Sequence, residues 1–225
     1  MKLRYLITLV ATASLFLASC AYDNFEAPAS SLSGRVVYNG NALSVRNNGV
    51  RLFLWQNGYP LKDRIEVFLN QEGNFSSSLF PGQYKLVRVE DSPWQPQTAD
   101  TILVDVQGDT KVDVPVIPYF TISNASIQKS GTTISAQFVV NKVVQNANVD
   151  RVVLYLGKSI LTDNVRNELS IDGNTGSLVL GQPMTISGAL PNNLKNLDYV
   201  FARLGVKSTS SGEFIYTQVQ KIALK

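Results

Sequence analysis

The stretch TILVDVQGDTKVDVPV, Thr101–Val116, alternates apolar and polar residues on both sides of a single glycine. That period of two belongs to a β-strand with one face buried, repeated across a turn. With Gly108–Thr110 as a three-residue loop, Val106 faces Val112 and Val104 faces Val114, leaving Asp105, Gln107, Lys111 and Asp113 on the wet face. The register also sets Asp105 opposite Asp113, a like-charge pair that needs Lys111 or a cation to screen it. A solvated strand face is the simpler reading of these carboxylates than a calcium site. The stretch predicts a β-hairpin with one clean apolar face.

The same pattern runs upstream. SLSGRVVY, VRLFLWQ, RIEVFLN, NFSSSLF and QYKLVRVE read as short strands, separated by Asn39-Gly40, Asn57-Gly58, Glu72-Gly73 and Pro81-Gly82. In VRLFLW, Val50, Leu52 and Leu54 share one face, and Arg51, Phe53 and Trp55 share the other. Downstream, VPVIPYFTIS (Val114–Ser123) carries two prolines, which places a domain boundary near Pro118. A second set follows: FTISNASIQ, TISAQFVVN, DRVVLYLG, SLVLG, MTISGAL, DYVFARLGVKS and FIYTQVQKIAL. Seven short strands suit an immunoglobulin-like or fibronectin-type-III-like sandwich. The prediction is an all-β chain of two consecutive, dissimilar β-sandwich domains, over residues 32–117 and 118–225. IDGNTGS (Ile171–Ser177) lacks the spacing and terminal glutamate of a calcium-binding EF-hand loop and reads as a hairpin turn.

Before the strands stands a different kind of segment. MKLR is a basic start, and YLITLVATASLFLA is an apolar run of signal-peptide length, too short for a comfortable transmembrane helix. Leu17-Ala18-Ser19-Cys20 resembles the bacterial lipobox, which implies a lipoprotein signal peptide over residues 1–19 and acylation of Cys20. Multiple acyl chains would anchor the chain stably in lipid, where a single chain gives marginal binding. AYDNFEAPASS turns Ala/Pro/Ser-rich, the composition of a tether, so residues 20–31 read as lipidated cysteine and leash. Asp23 and Glu26 resemble the surface-export signal of lipoproteins in gut anaerobes, which implies an outward-facing protein on the outer membrane.

Composition narrows the chemistry. There is no histidine and one cysteine among the 225 residues, which removes Ser-His and Cys-His nucleophile systems, histidine zinc sites and intrachain disulfides. Setting Lys2 and Arg4 aside with the signal segment brings the 20 basic side chains close to balance with the 17 acidic ones. Such a balance offers no electrostatic footprint for nucleic acid. Glycosidases need two carboxyls about 5–9.5 Å apart, whereas Glu90 and Asp91 are consecutive and would point to opposite faces of a strand. The chain reads as non-catalytic, with no metal site and no cofactor.

The run EGNFSSSLFPGQYKLVRVEDSPW (Glu72–Trp94) resembles a family of uncharacterised two-domain lipoproteins encoded with Sus-like (starch-utilisation-type) outer-membrane glycan importers. In that family an Asp-Gly turn, an aromatic strand, a Leu-Phe-Pro-Gly-x-Tyr segment and a Gly-Pro-aromatic loop follow in this order. Here Glu72-Gly73 and Ser92-Pro93-Trp94 replace the first and last of these. Pro81-Gly82-Gln83-Tyr84 also resembles carboxypeptidase-regulatory-like and transthyretin-like domains, and YVFARLGVKS looks like the family's fibronectin-type-III-like C-terminal domain. The resemblance implies an accessory role in polysaccharide capture, with SusC/SusD-like importer subunits as partners. It carries over no catalytic residue.

Sugars are held by aromatic faces against apolar ring surfaces, with polar groups reading the hydroxyls. Trp55, Tyr59 in the QNGYP loop and Trp94 in the proline-bracketed SPWQPQ loop are the candidate glycan contacts. The competing reading places both tryptophans in a core or domain interface. A structural adhesin, fimbrial or spacer lipoprotein without a sugar site is the corresponding alternative function.

Overall fold

The computed structural model of the chain describes residues 26–56, 58 and 63–225. The lipobox with Cys20 lies outside the described residues. The first unit comprises β1 (Ser30–Tyr38), β2 (Asn41–Ala42), β3 (Arg51–Gln56), β4 (Ile65–Phe68), β5 (Asn74–Leu79), β6 (Gly82–Arg88), β7 (Gln97–Val106) and β8 (Asp109–Pro115). The second comprises β9 (Phe120–Ser130), β10 (Thr133–Lys142), β11 (Val149–Gly157), β12 (Leu169–Asp172), β13 (Pro183–Ala189), the one-turn helix α1 (Asn192–Lys195), β14 (Tyr199–Ser208), β15 (Phe214–Tyr216) and β16 (Gln220–Ala223). The chain is all-β, in two consecutive domains. No helix among the described residues is long and apolar enough to cross a membrane.

In the first domain β1 lies between β5 and β8, with β2 folding back on its end, and a second sheet runs β4-β3-β6-β7. Leu32, Val36, Phe75 and Val114 from one sheet meet Leu52, Leu54, Tyr84 and Leu86 from the other, all buried. The alternation read from VRLFLW holds, since Val50, Leu52 and Leu54 are at most 2% exposed while Arg51, Phe53 and Trp55 face outward. Asn39-Gly40 closes the β1–β2 hairpin with both residues at positive φ (51° and 76°), as a type I′ turn requires.

The Thr101–Val116 hairpin is a correction. β7 pairs with β6 in one sheet, whereas β8 pairs in parallel with β1 in the other, Gly34 opposite Val112 and Arg35 opposite Asp113. The chain crosses between sheets at Gln107–Gly108. That arch is tied to β1, where Ser31 N–H donates to the Gly108 carbonyl at 2.9 Å and the Ser31 hydroxyl to Asp109 at 2.7 Å. Val104, Val106 and Val114 do point into the core, as the alternation requires. Their cross-strand partners are different ones. Asp113 therefore faces Arg35, with two hydrogen bonds of 3.1 Å, and the Asp105–Asp113 repulsion never arises.

In the second domain a sheet β13-β10-β9 packs on a sheet β12-β11-β14-β15, with β16 also pairing β14. Ile134, Ala136 and Phe138 of β10 pack against Val152, Leu154 and Leu156 of β11, each at 0% exposure. Two further expectations are corrected here. SLVLG forms no strand: Thr175–Ser177 is a single 3₁₀ turn capped by the Asn174 side chain. Asp172-Gly173 is likewise no hairpin, because β12 pairs β11 and β13 pairs β10.

The two domains are fastened through main chain. The Tyr119 N–H donates to the Pro93 carbonyl (3.2 Å) and the Tyr216 N–H to the Ser44 carbonyl (2.9 Å), while within the first domain the Gln95 N–H holds the Ile117 carbonyl just before the boundary (2.9 Å). Arg203, 1% exposed, spans the seam from β14. Its Nε donates to the Thr217 carbonyl (2.8 Å), its Nη2 to the Gln71 carbonyl of the first domain (2.9 Å), and it lies 4.4 Å from the Tyr216 ring centroid. Burial pulls its pKa down to about 10, so it stays charged at neutral pH and the carbonyls answer that charge.

Candidate functional site

The outward face of β3 forms the floor of a groove of about 690 Å³. Strand pairing sets its rows. Phe53 lies between Glu66 on β4 and Val87 on β6, and Trp55 lies beside Lys85 on β6, itself opposite Leu103 on β7. Leu103 is 73% exposed, so no described residue covers this sheet face at that edge. Its apolar residues sit where a second layer would ordinarily hide them.

Charge frames the groove unevenly. At one end the Arg64 guanidinium stacks over the Phe53 ring, 4.3 Å from its centroid, and Arg51 approaches the same ring at 5.6 Å. Both arginines share one carboxylate, Glu66, each at 3.3 Å. The Phe53 face is thereby occupied, and among the described residues lining the groove Trp55 is the aromatic surface left for a ligand. At the other end Val89, Glu90, Asp91 and Ser92 are met by Gly212 and Glu213 of the second domain. Glu213 is held by Arg46 (Nε to Oε2, 3.0 Å), whose pKa that hydrogen bond raises. The Ser211 hydroxyl donates to the Ser92 carbonyl at 2.9 Å, tying the wall to the floor. Asp91 has φ of 61°, a left-handed backbone that turns the chain away from β6 here.

The predicted contacts separate. Trp55 lines the groove. Trp94 does not: at 1% exposure it is buried in the joint between domains, where it bridges Pro118, so it has no face to offer a sugar. This corrects the reading of SPWQPQ as a presenting loop. Tyr59 lies outside the described residues. Missed from sequence were Arg64, which meets Phe53 only through β3–β4 pairing, and the Arg46–Glu213 wall, built from residues 167 positions apart. Among the described residues no group of three or more acidic, histidine or cysteine side chains could hold a metal ion.

Two family models match the chain: "Protein of unknown function (DUF3823) N-terminal domain" over residues 30–117, and "Domain of unknown function (DUF3823_C)" over residues 120–221. The chain belongs to the DUF3823 family. A solved DUF3823 structure from Bacteroides ovatus is 44% identical, with a TM-score of 0.82 over 87% of this chain and 100% of that one. Another, from Parabacteroides merdae, is 35% identical with a TM-score of 0.80, covering 88% and 100%. A Bacteroides uniformis structure described as a "putative carbohydrate binding protein" is 19% identical, with a TM-score of 0.73 over 88% of this chain and 100% of that one. At that identity the likeness shows a shared fold alone. Comparison with curated proteins gives no match.

Proposed function

We propose that this DUF3823 protein is a non-catalytic accessory lipoprotein that captures polysaccharide at the cell surface for a Sus-like importer. It is held on the outer membrane by acylated Cys20, faces outward, and uses the groove around Trp55 as its contact surface. The observation that carries this reading is the partly exposed Trp55 on an uncovered sheet face, with polar and charged groups at both ends of the groove. Such a floor offers the apolar face of a sugar ring a rigid aromatic, and its hydroxyls several hydrogen-bonding partners. The description of the B. uniformis neighbour points the same way.

A spacer or adhesin without a sugar site draws on one observation, the burial of Trp94 in the joint, which stiffens the pair of domains. Affinity electrophoresis of the chain without residues 1–20, across plant and host polysaccharides, separates the readings. Retardation by at least one polysaccharide is expected, weakened about tenfold or more, ~1.4 kcal/mol, in Trp55→Ala. No retardation by any polysaccharide would favour the spacer, and retardation untouched by Trp55→Ala would move the site elsewhere. Anchoring is checked separately. Protease added to intact cells should degrade the protein, and full protection would place it inside the outer membrane.

A further inference from the structure

A second groove, of about 520 Å³, lies on the seam between the domains and shares no residue with the groove around Trp55. Its volume falls within the ~300–1,000 Å³ of small-molecule sites. Its chemistry differs from the first in one respect that decides the ligand class. No charged side chain lines it among the described residues; hydroxyls and side-chain amides do.

Tyr38 at the end of β1, Thr121 on β9 and Gln220 on β16 carry no side-chain hydrogen bond within the described residues. Two further amides are partly satisfied. Gln218 donates to the Ser44 hydroxyl at 2.7 Å and Asn41 to the Asn39 carbonyl at 3.2 Å, each leaving an amide oxygen unused. Each amide group both donates and accepts, as does each hydroxyl. A sugar hydroxyl has the same dual need, whereas an ion would find no opposite charge in this lining. A peptide strand would look instead for a row of main-chain groups, while the groups offered here are side chains. Ile215 and the Tyr38 ring supply apolar surface beneath them.

The groove is also set before any ligand arrives. Its walls come from both domains, yet the Tyr216–Ser44 main-chain bridge crosses its base and fixes them to one another. Ordering costs on binding are correspondingly small.

We propose that the seam groove is a second binding site, for a neutral oligosaccharide, distinct from the charged groove around Trp55. Backbone and side-chain amide NMR of ¹⁵N-labelled chain without residues 1–20 tests this, with maltohexaose, xylohexaose, mannohexaose and an acidic oligogalacturonate as probes. At least one neutral hexasaccharide should shift the Gln218 and Gln220 side-chain amide signals in a saturable manner, and Gln220→Ala should weaken its binding at least fivefold. The Trp55 indole N–H reports the other groove in the same spectra, so failure of one site is visible apart from failure of the other. The proposal is overturned if no neutral hexasaccharide moves the groove amides at millimolar concentration. It is equally overturned if the oligogalacturonate alone moves them, or if an extended polar peptide does so and the sugars do not.

Discussion

Trp94→Ala is expected to lower the unfolding free energy by about 3–5 kcal/mol, the range for truncating a buried tryptophan. For a chain whose total stability is of order 5–15 kcal/mol, that is a large fraction. Trp94 is the largest fully buried side chain among the described residues, 1% exposed, and from the β6–β7 connection it packs against Pro118, where the chain passes between domains. On either side of it the Gln95–Ile117 and Tyr119–Pro93 main-chain bonds clamp the passage, and Ser211 reaches across to Ser92. Removing the indole leaves a cavity and frees those bonds to open. Urea denaturation followed by circular dichroism should show the loss, with Trp94→Phe recovering part of it. Trp55→Ala, made on the outward face of β3, should stay within about 1 kcal/mol of the parent. A Trp94→Ala protein of parental stability that had lost only glycan retention would return Trp94 to the surface and overturn its place in the joint.

The contrast between the two tryptophans shows what could be read in the sequence. Trp55 sits in a strict alternation, and the pleat alone sends it outward once Val50, Leu52 and Leu54 are assigned to the core. Local periodicity suffices there. Trp94 follows a proline in an irregular segment, and its fate depends on Ser211, which lies 119 positions beyond its partner Ser92, folding over the same stretch. No local pattern carries that. The Asn39-Gly40 turn was legible because a two-residue hairpin demands positive φ at both central residues. Gly108, with φ of 61°, serves an arch between sheets as readily as a hairpin within one, so the turn signal left the partner of β8 open. Of the groove, the aromatic floor followed from alternation. The Arg64 stack on Phe53 and the wall at Glu213 followed from pairings that only the folded chain specifies.

Gly34→Ala tests the strand pairing that the sequence left open, because the two arrangements predict opposite signs. In a sheet where β7 and β8 formed a hairpin, Gly34 would have only the movable Phe75 ring beside it, and alanine would stabilise by up to roughly 0.5–1 kcal/mol. In the observed sheet Gly34 is held between Phe75 of β5 and Val112 of β8. A methyl group there meets the Val112 carbonyl oxygen head-on and lies 2.9 Å from the Phe75 ring. The ring can shift, but the carbonyl belongs to the parallel ladder and cannot turn aside without releasing β8. Overpacking of this kind costs about 1–3 kcal/mol before any ladder bond is lost, so a destabilisation of about 3 kcal/mol or more is expected. Gly40→Ala is the matched control: its φ of 76° is unfavourable for alanine, yet nothing lies within 4 Å of the added carbon. Its cost should stay near 1 kcal/mol. Hydrogen exchange locates the damage, since amides of β8 should lose protection in Gly34→Ala while those of β3, in the other sheet, lose less. A neutral or stabilising Gly34→Ala would remove β8 from its place beside β1. The arch at Gly108 would go with it, and so would the Arg35–Asp113 pair that relieves the carboxylate crowding read from the sequence.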